Sequence, residues 1–492
     1  MRRHDLFIEL DLSSDQLLYL QIYSAICAHI TSGSIKEGDK LPSIRGLAQS
    51  LNVSHATVER AYSQLALEGF VANVPRSGYV VNKIDTEYFE GDRSDAHLEM
   101  EKLRPELSND PFLQEIRAGK SVRYDFAFAA LQPGMFPRKE FIRALTESFK
   151  SATDADLVNY NYGNEPDILQ VELAKYLNAA RGVSCDPEQI ILQNGTEAAL
   201  GNVLQLFGGE VNCIGHEEPG FEVVIAVAKR FGIDLVSLPV LDSHERDWLS
   251  EVNARKPKLI FTTPSHQFPT GRIMPLEERV SLIQWAQEND AYIIEDDSCN
   301  EYRYNSRAVP SLQSLDKHNR VIYLCNFSKA LSPGLRMAYI VLPPQLLVRW
   351  KRAFTFSSDS VPMILRRAMG SFIAEGQWNS HLRRMIADNK PRHDALVKAF
   401  RAEFGDVVSL SGVDSGMHLF VTVHNDMSQE KLLSSALAHE VNVYGTKRYW
   451  FSKEGPENQV MIGFSAIDLK DIPAGVRALK QAWFPEGPKS SN

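Results

Sequence analysis

Between Asp15 and Thr31 the apolar residues Leu18, Ile22, Ile26 and Ile30 recur every fourth position, with Leu17, Leu20 and Tyr23 beside them. That spacing predicts an amphipathic helix. Gly33, Gly38 and Pro42 interrupt the pattern, SIRGLAQSL then predicts a short helix from Ser43 to Asn52, and Ser54 is placed to cap a third, HATVERAYSQLALEG, ending at Gly69. The spacing is that of a helix-turn-helix. From Phe70 to Val81 the chain alternates like two strands about a Pro-Arg-Ser-Gly turn, so residues 1–82 read as a winged helix. Residues 83–123 are charged and lack a sustained period, which predicts a tether; a flexible chain of that length spans roughly 35 Å. From Tyr124 onward short apolar runs alternate with helical patterns, predicting an α/β domain, 124–492, with a mostly parallel sheet covered on both sides. Strands are expected near 190–193, 211–214, 235–238, 259–262, 291–295 and 321–324.

Composition narrows this picture. A chain of 492 residues is long enough for two or three domains. With 44% hydrophobic and 23% charged residues, and no apolar run of about eighteen, it is expected to be globular and to lack a membrane span. The start, MRRHDLFIELDLSS, has no apolar core of a signal peptide, and the five cysteines are scattered without metal-ligand spacing. A cytoplasmic location without disulfides or a metal site follows as the expectation. The net charge of -9 would repel nucleic acid on average, so any DNA contact must come from a local patch.

Such a patch is visible in the first domain. Ser43 and Arg45 stand at the start of one short helix, where a hydroxyl, backbone amides and a guanidinium can grip phosphate. Ser54, His55 and Thr57 begin the next helix, the turn that reaches base edges in helix-turn-helix proteins, and Arg60 lies one turn on, towards the backbone. Arg76, flanked by Gly78 and Tyr79, would tip the wing and enter a minor groove. The segments LYLQIY, GDKLPSIRGLAQSLNVS, TVERAYSQLALEGF and SGYVV are similar to the GntR family of bacterial transcription regulators. The resemblance implies binding to double-stranded promoter DNA; a winged helix used for protein contacts is the alternative.

The stretch NFSKALSPGLRMAYIVLP carries the candidate chemistry of the second domain. Lys329 follows a strand-like run, where open α/β sheets place their sites, and Arg336 supplies a fork suited to phosphate, with Ser328 beside the lysine. A Schiff-base lysine with an anion clamp suggests a phosphorylated aldehyde. The pattern S-K-x-L-x-P-G-x-R resembles the lysine motif of fold-type I enzymes that use pyridoxal 5'-phosphate (PLP), the aspartate aminotransferase superfamily. That resemblance implies that Gly195 and Thr196 bind the phosphate and Phe221 stacks on the pyridine ring. It implies that Gln267, in TPSHQFPTG, faces the ring's polar edge, and that Asp296 pairs with the ring nitrogen. Asn326 stands where a small hydroxyl residue is common and would still donate to phosphate, while Tyr162 resembles a tyrosine that reaches the partner subunit's cofactor, implying a homodimer.

A GntR head fused to an aminotransferase-like body resembles the MocR subfamily, whose members use PLP in sensors that regulate transcription. Departures from the enzyme pattern bear on function. Ser298 stands where the family has a tyrosine, and Val223 and Met461 stand where relatives have substrate-clamping arginines. Lys447 and Arg448 are candidates to replace those clamps for an amine or amino-acid effector. Three readings follow: a PLP-responsive regulator, an aminotransferase carrying a DNA-binding head, and a DNA-binding protein whose body is a scaffold. Transamination needs the carboxylate held while the α-proton is removed, so missing clamps favour the first.

Overall fold

A computed structural model of the chain describes residues 8–11, 14, 16–84, 114, 116–118, 122–128, 130–159, 165–240, 249–304, 309–355 and 360–485. Two compact units are present, Met1–Asp110 and Pro111–Asn492. The expected tether falls largely outside the described residues.

In the first unit α1 (Leu18–Thr31), α2 (Ile44–Leu51) and α3 (His55–Leu67) precede a hairpin of β1 (Val71–Val74) and β2 (Gly78–Val81). The period-four stripe of α1 is buried at Ile22, Ile26 and Ile30, against Val58, Ala61, Tyr62 and Leu65 of α3. The helix starts at Leu18, later than its apolar pattern suggests, and Leu17 supplies no side-chain cap. Asn52 ends α2 in a left-handed conformation that short polar side chains tolerate, which turns the chain into α3. The hairpin is antiparallel, Val71 facing Val81 and Val74 facing Gly78. This is the winged helix expected from the sequence.

The second unit opens with β3 (Tyr124–Asp125) and builds a central sheet from β4 (Ile190–Gln193), β5 (Cys213–Glu218), β6 (Asp234–Pro239), β7 (Leu259–Thr262), β8 (Tyr292–Asp296), β9 (Val321–Asn326) and β10 (Ala338–Val341). The strand order is β4-β10-β9-β8-β7-β5-β6. Strands β5 to β9 pair in parallel, whereas β10 runs against both its neighbours, β4 and β9. The six expected strands are present with ends shifted by a few residues, and β10 is an addition to them. Alternation along β9 sends Tyr323 and Cys325 to one face, with Leu169, Leu173 and Leu177, and Ile322 and Leu324 to the other, with Ala199, Leu200 and Val203. Both faces are therefore covered, as a parallel sheet requires.

A smaller antiparallel sheet follows, made by β11 (Val408–Ser411), β12 (His418–Val423), β14 (Tyr444–Gly445) and β15 (Gln459–Gly463), while β13 (Val441–Asn442) pairs with β3. The long helix Gln377–Phe404 joins the two parts. Trp378 and Leu382 pack in the large core, and Leu396, Phe400 and Phe404 pack in the small one. No helix among the described residues is long and apolar enough to cross a membrane.

Candidate functional site

In the head the hydroxyls come first. Ser43 Oγ accepts a hydrogen bond from Gly46 N at 3.1 Å, and Ser54 Oγ accepts one from Thr57 N at 3.1 Å while meeting the Thr57 hydroxyl at 2.7 Å. These are N-caps, worth about 1 kcal/mol each to their helices. Arg45 and His55, one or two residues beyond the caps, are exposed on the first turns of α2 and α3. The Arg60 guanidinium lies over the Tyr19 ring at 4.1 Å, so its head is engaged within the fold. Arg76 caps the hairpin at φ 68°, exposed, and Gly78 at φ 83° permits the turn. Tyr79 differs from its expected role: its ring packs edge-on against buried Tyr62 at 5.0 Å, which makes it part of the wing's anchorage.

In the second unit the carboxyl ends of β4, β5, β7, β8 and β9 share one edge of the sheet. Because β10 is antiparallel, the residues just before it emerge at that same edge. Lys329, after β9, and Arg336, before β10, thus reach a common cavity of about 430 Å³. The lysine turn is pinned from behind: the Tyr302 hydroxyl donates to the Lys329 carbonyl at 2.7 Å, and His381 Nε2 lies 2.8 Å from the Ala330 carbonyl. Burial pulls the Lys329 amine below its ordinary value, against the opposing pull of Cys299 and Glu222. A lowered amine holds more of the neutral, nucleophilic form that an aldehyde requires.

At one end of the cavity Gly195 opens the helix Thr196–Phe207 with φ 92°. A Cβ at Gly195 would stand 2.3 Å from Arg336 Nη2, so the absent side chain is what lets the guanidinium lie against the helix start. Thr196 Oγ1 receives Asn326 Nδ2 at 3.0 Å, Asn326 Nδ2 also reaches Ser298 Oγ at 2.6 Å, and Ser328 N donates to Asn326 Oδ1 at 2.9 Å. Helix amides, two hydroxyls and a guanidinium thus converge on one place, a phosphate-binding constellation.

Three successive carboxylates end β8, and only one faces the cavity. Glu295 accepts from Leu312 N and Gln313 N at 2.7 and 3.0 Å, capping a short helix. Asp297 holds Arg181 at 2.6 and 3.1 Å and accepts the Tyr323 hydroxyl at 2.8 Å. Asp296 lines the cavity, and burial pushes its carboxyl up to about 6 even though Ser298 N donates to it at 2.9 Å. A carboxylate in that position is suited to a protonated ring nitrogen. Phe221 forms a wall, edge-to-face with Phe268 at 5.6 Å.

Other placements correct the sequence reading. Gln267 turns away from the cavity: its amide nitrogen donates to the Pro219 and Phe268 carbonyls at 2.8 and 2.6 Å, and its oxygen accepts from Thr270 N at 3.1 Å. Its neighbour His266 takes the wall instead, its Nδ1 2.9 Å from Ser415 Oγ. Lys447 is committed to Glu430 and Glu457 at 2.8 and 2.9 Å on the surface, because both carboxylates flank its exposed turn. Arg448 acts on Glu222 of the cavity wall. Val223 lines the cavity, and Met461 is buried in an apolar cluster with Phe128, Phe420, Tyr444 and Tyr449. Tyr162 lies outside the described residues. No group of three or more metal-ligating side chains occurs among the described residues. His418, Tyr302 and Glu222 were missed by sequence reasoning, whereas His266 stands in the same TPSHQFPTG turn as Gln267; of the missed residues only Glu222, adjacent to Phe221, carried a positional hint.

Lysine, anion cradle and buried carboxyl fit PLP. A family model described as "Bacterial regulatory proteins, gntR family" matches residues 18–81, and one described as "Aminotransferase class I and II" matches residues 137–479. The chain is 33% identical over 466 residues to the uncharacterized HTH-type transcriptional regulator YdeL of Bacillus subtilis (strain 168), covering 95% of this chain and 96% of that one. It is 33% identical over 480 residues to the probable rhizopine catabolism regulatory protein MocR of Rhizobium meliloti, covering 96% and 95%. Among solved structures, LysN, an alpha-aminoadipate aminotransferase from Thermus thermophilus, matches with a TM-score of 0.66 and 27% identity over 75% of this chain and 94% of that one. With both halves matched in one continuous alignment, the chain belongs to the MocR-type GntR regulators, in which a gntR-family DNA-binding domain is joined to a PLP-dependent aminotransferase domain of class I and II.

Proposed function

We propose that this protein is a transcription regulator in which PLP, held as a Schiff base at Lys329, modulates promoter binding by the winged-helix head. The observation that carries this reading is the convergence of Lys329, Arg336 against Gly195, and Asp296 in one cavity of a chain that also bears a DNA-binding domain. Bound PLP would supply an electron-withdrawing ring; the protein's own residues hold and orient it. Arg336 and the start of the helix Thr196–Phe207 bind the phosphate, Asp296 keeps the ring nitrogen protonated, and Phe221 stacks on the ring. Coupling to DNA requires that occupancy favour one arrangement of the heads over another. The working unit is a homodimer acting in the cytoplasm.

Retention of lysine, aspartate and arginine together also fits an active aminotransferase, but Val223 and Met461 leave no arginine where the enzymes hold a substrate carboxylate. The discriminating experiment is an absorption titration of wild type and Lys329→Ala with PLP, followed by borohydride reduction and mass mapping, with operator affinity measured on the same samples. A visible band fixed on Lys329 and a change in operator affinity are expected. Steady turnover of an amino acid with a keto acid would instead establish the enzyme. Absence of any band would leave a scaffold.

A further inference from the structure

Once PLP engages Lys329, Arg336 and Asp296, the rest of the cavity wall decides what second ligand fits beside it; the inference therefore rests on the cofactor reading above. Among the described residues that remaining wall contains no arginine, since Val223 and the buried Met461 occupy the two positions where a carboxylate clamp would be expected. His266 and His418 line it as neutral rings, burial having pushed them down to about 3 and about 4. Neither offers a full positive charge. Glu222, the first residue of its helix and directly after Phe221, is the acidic group beside the lysine, and its Oε2 is buried with no hydrogen-bond partner among the described residues. Arg448 and Lys329 both act on this carboxyl from nearby, yet burial still raises it above the ordinary carboxylate range. Bonding of Lys329 to the cofactor weakens one of those two cationic influences. What Glu222 Oε2 then lacks, among the described residues, is a hydrogen-bond donor, and what the wall would reject is a second carboxylate.

We propose that the effector read beside PLP is a small cationic amine without a carboxylate, recognised by Glu222. Charge selection of this kind comes from one buried carboxylate and from the absence of an anion clamp, so it discriminates by terminal group at constant chain length.

The test uses PLP-loaded full-length protein and three probes of equal length: an aliphatic α,ω-diamine, the matching ω-amino acid and the matching monoamine. Each is titrated against the visible band and, separately, against operator affinity. The diamine should half-saturate at a concentration about tenfold or more below the ω-amino acid, as expected for one charge-assisted hydrogen bond gained and one carboxylate left unpaired. Glu222→Gln, which keeps the shape, should lose that preference once loaded with PLP, while its response to the monoamine stays the same. A preference for the ω-amino acid, equal response to all three probes, no response to any, or an undiminished diamine preference in Glu222→Gln would each overturn the proposal. Failure of wild type to form any Lys329-fixed band with PLP is a different outcome, since it removes the cofactor reading itself and this inference with it.

Discussion

Asp296 is buried at the end of β8, and desolvation there outweighs the hydrogen bonds it accepts from Ser298. Its carboxyl moves from an ordinary 3.8 up to about 6, so the folded state holds the proton more tightly than the unfolded chain does. The stability this contributes is complete at acid pH and is lost as pH rises through about 6, a swing on the order of 3 kcal/mol. A protonated ring nitrogen opposite Asp296 would remove that loss. The rise in melting temperature caused by PLP should therefore be larger near pH 7 than near pH 5, and Asp296→Asn should flatten the difference; equal shifts at both pH values would place the ring elsewhere. Gly195 makes a second residue-scale case. Gly195→Ala forces a methyl into the space of the Arg336 guanidinium and strains a left-handed backbone, and Arg336→Ala removes the fork altogether. Each should weaken PLP retention by about tenfold to a hundredfold, the worth of one or two charge-assisted hydrogen bonds, measured by equilibrium dialysis.

At the scale of elements, α3 joins stability to recognition because its cap and its first exposed turn are the same few residues. Ser54→Ala removes the acceptor for Thr57 N and should lower head stability by about 1 kcal/mol. His55→Ala leaves the cap intact and should change sequence preference in a selection from random operators with little change in melting; an unchanged preference would remove His55 from base readout. The helices of the head were legible in the sequence because α1 and α3 each bury one stripe at a regular period, and Ser54 announces the cap of α3. Strand β10 was less so: Ala338–Val341 is a short apolar run with no period of its own, and its antiparallel direction is set by pairing with β4 and β9. That direction is nevertheless what brings Arg336 to the lysine. Gln267 and His266 show a related limit, since neighbours in a loop face opposite ways and only hydrogen bonds to Pro219, Phe268 and Thr270 decide which turns inward. Lys447 was legible as a cation but not as one already paired, because Glu430 and Glu457 approach it from separate segments of the chain.

For the whole molecule, the small charge of the head sets a measurable limit on how it can hold DNA. Four Lys or Arg lie between Lys40 and Val81, and Arg60 is engaged with Tyr19, leaving Lys40, Arg45 and Arg76 for phosphates. With a slope near −0.9 per neutralised phosphate, one head should give a log-log salt dependence of about −3, and two heads of a dimer gripping together about −6. Arg45→Ala should then lower the slope by about 1 in the first case and about 2 in the second. The net charge of -9 makes the body a repulsive mass near DNA, so a single head would bind weakly at physiological salt and specific occupancy would depend on both. This gives the proposed coupling a concrete form. If PLP changes operator affinity while the salt slope stays near −6, the cofactor alters how well two heads fit the spacing of two half-sites; if the slope moves between about −3 and −6, it alters how many heads engage. A slope and an affinity both indifferent to PLP, in protein shown to carry it at Lys329, would mean that the cavity and the head do not communicate.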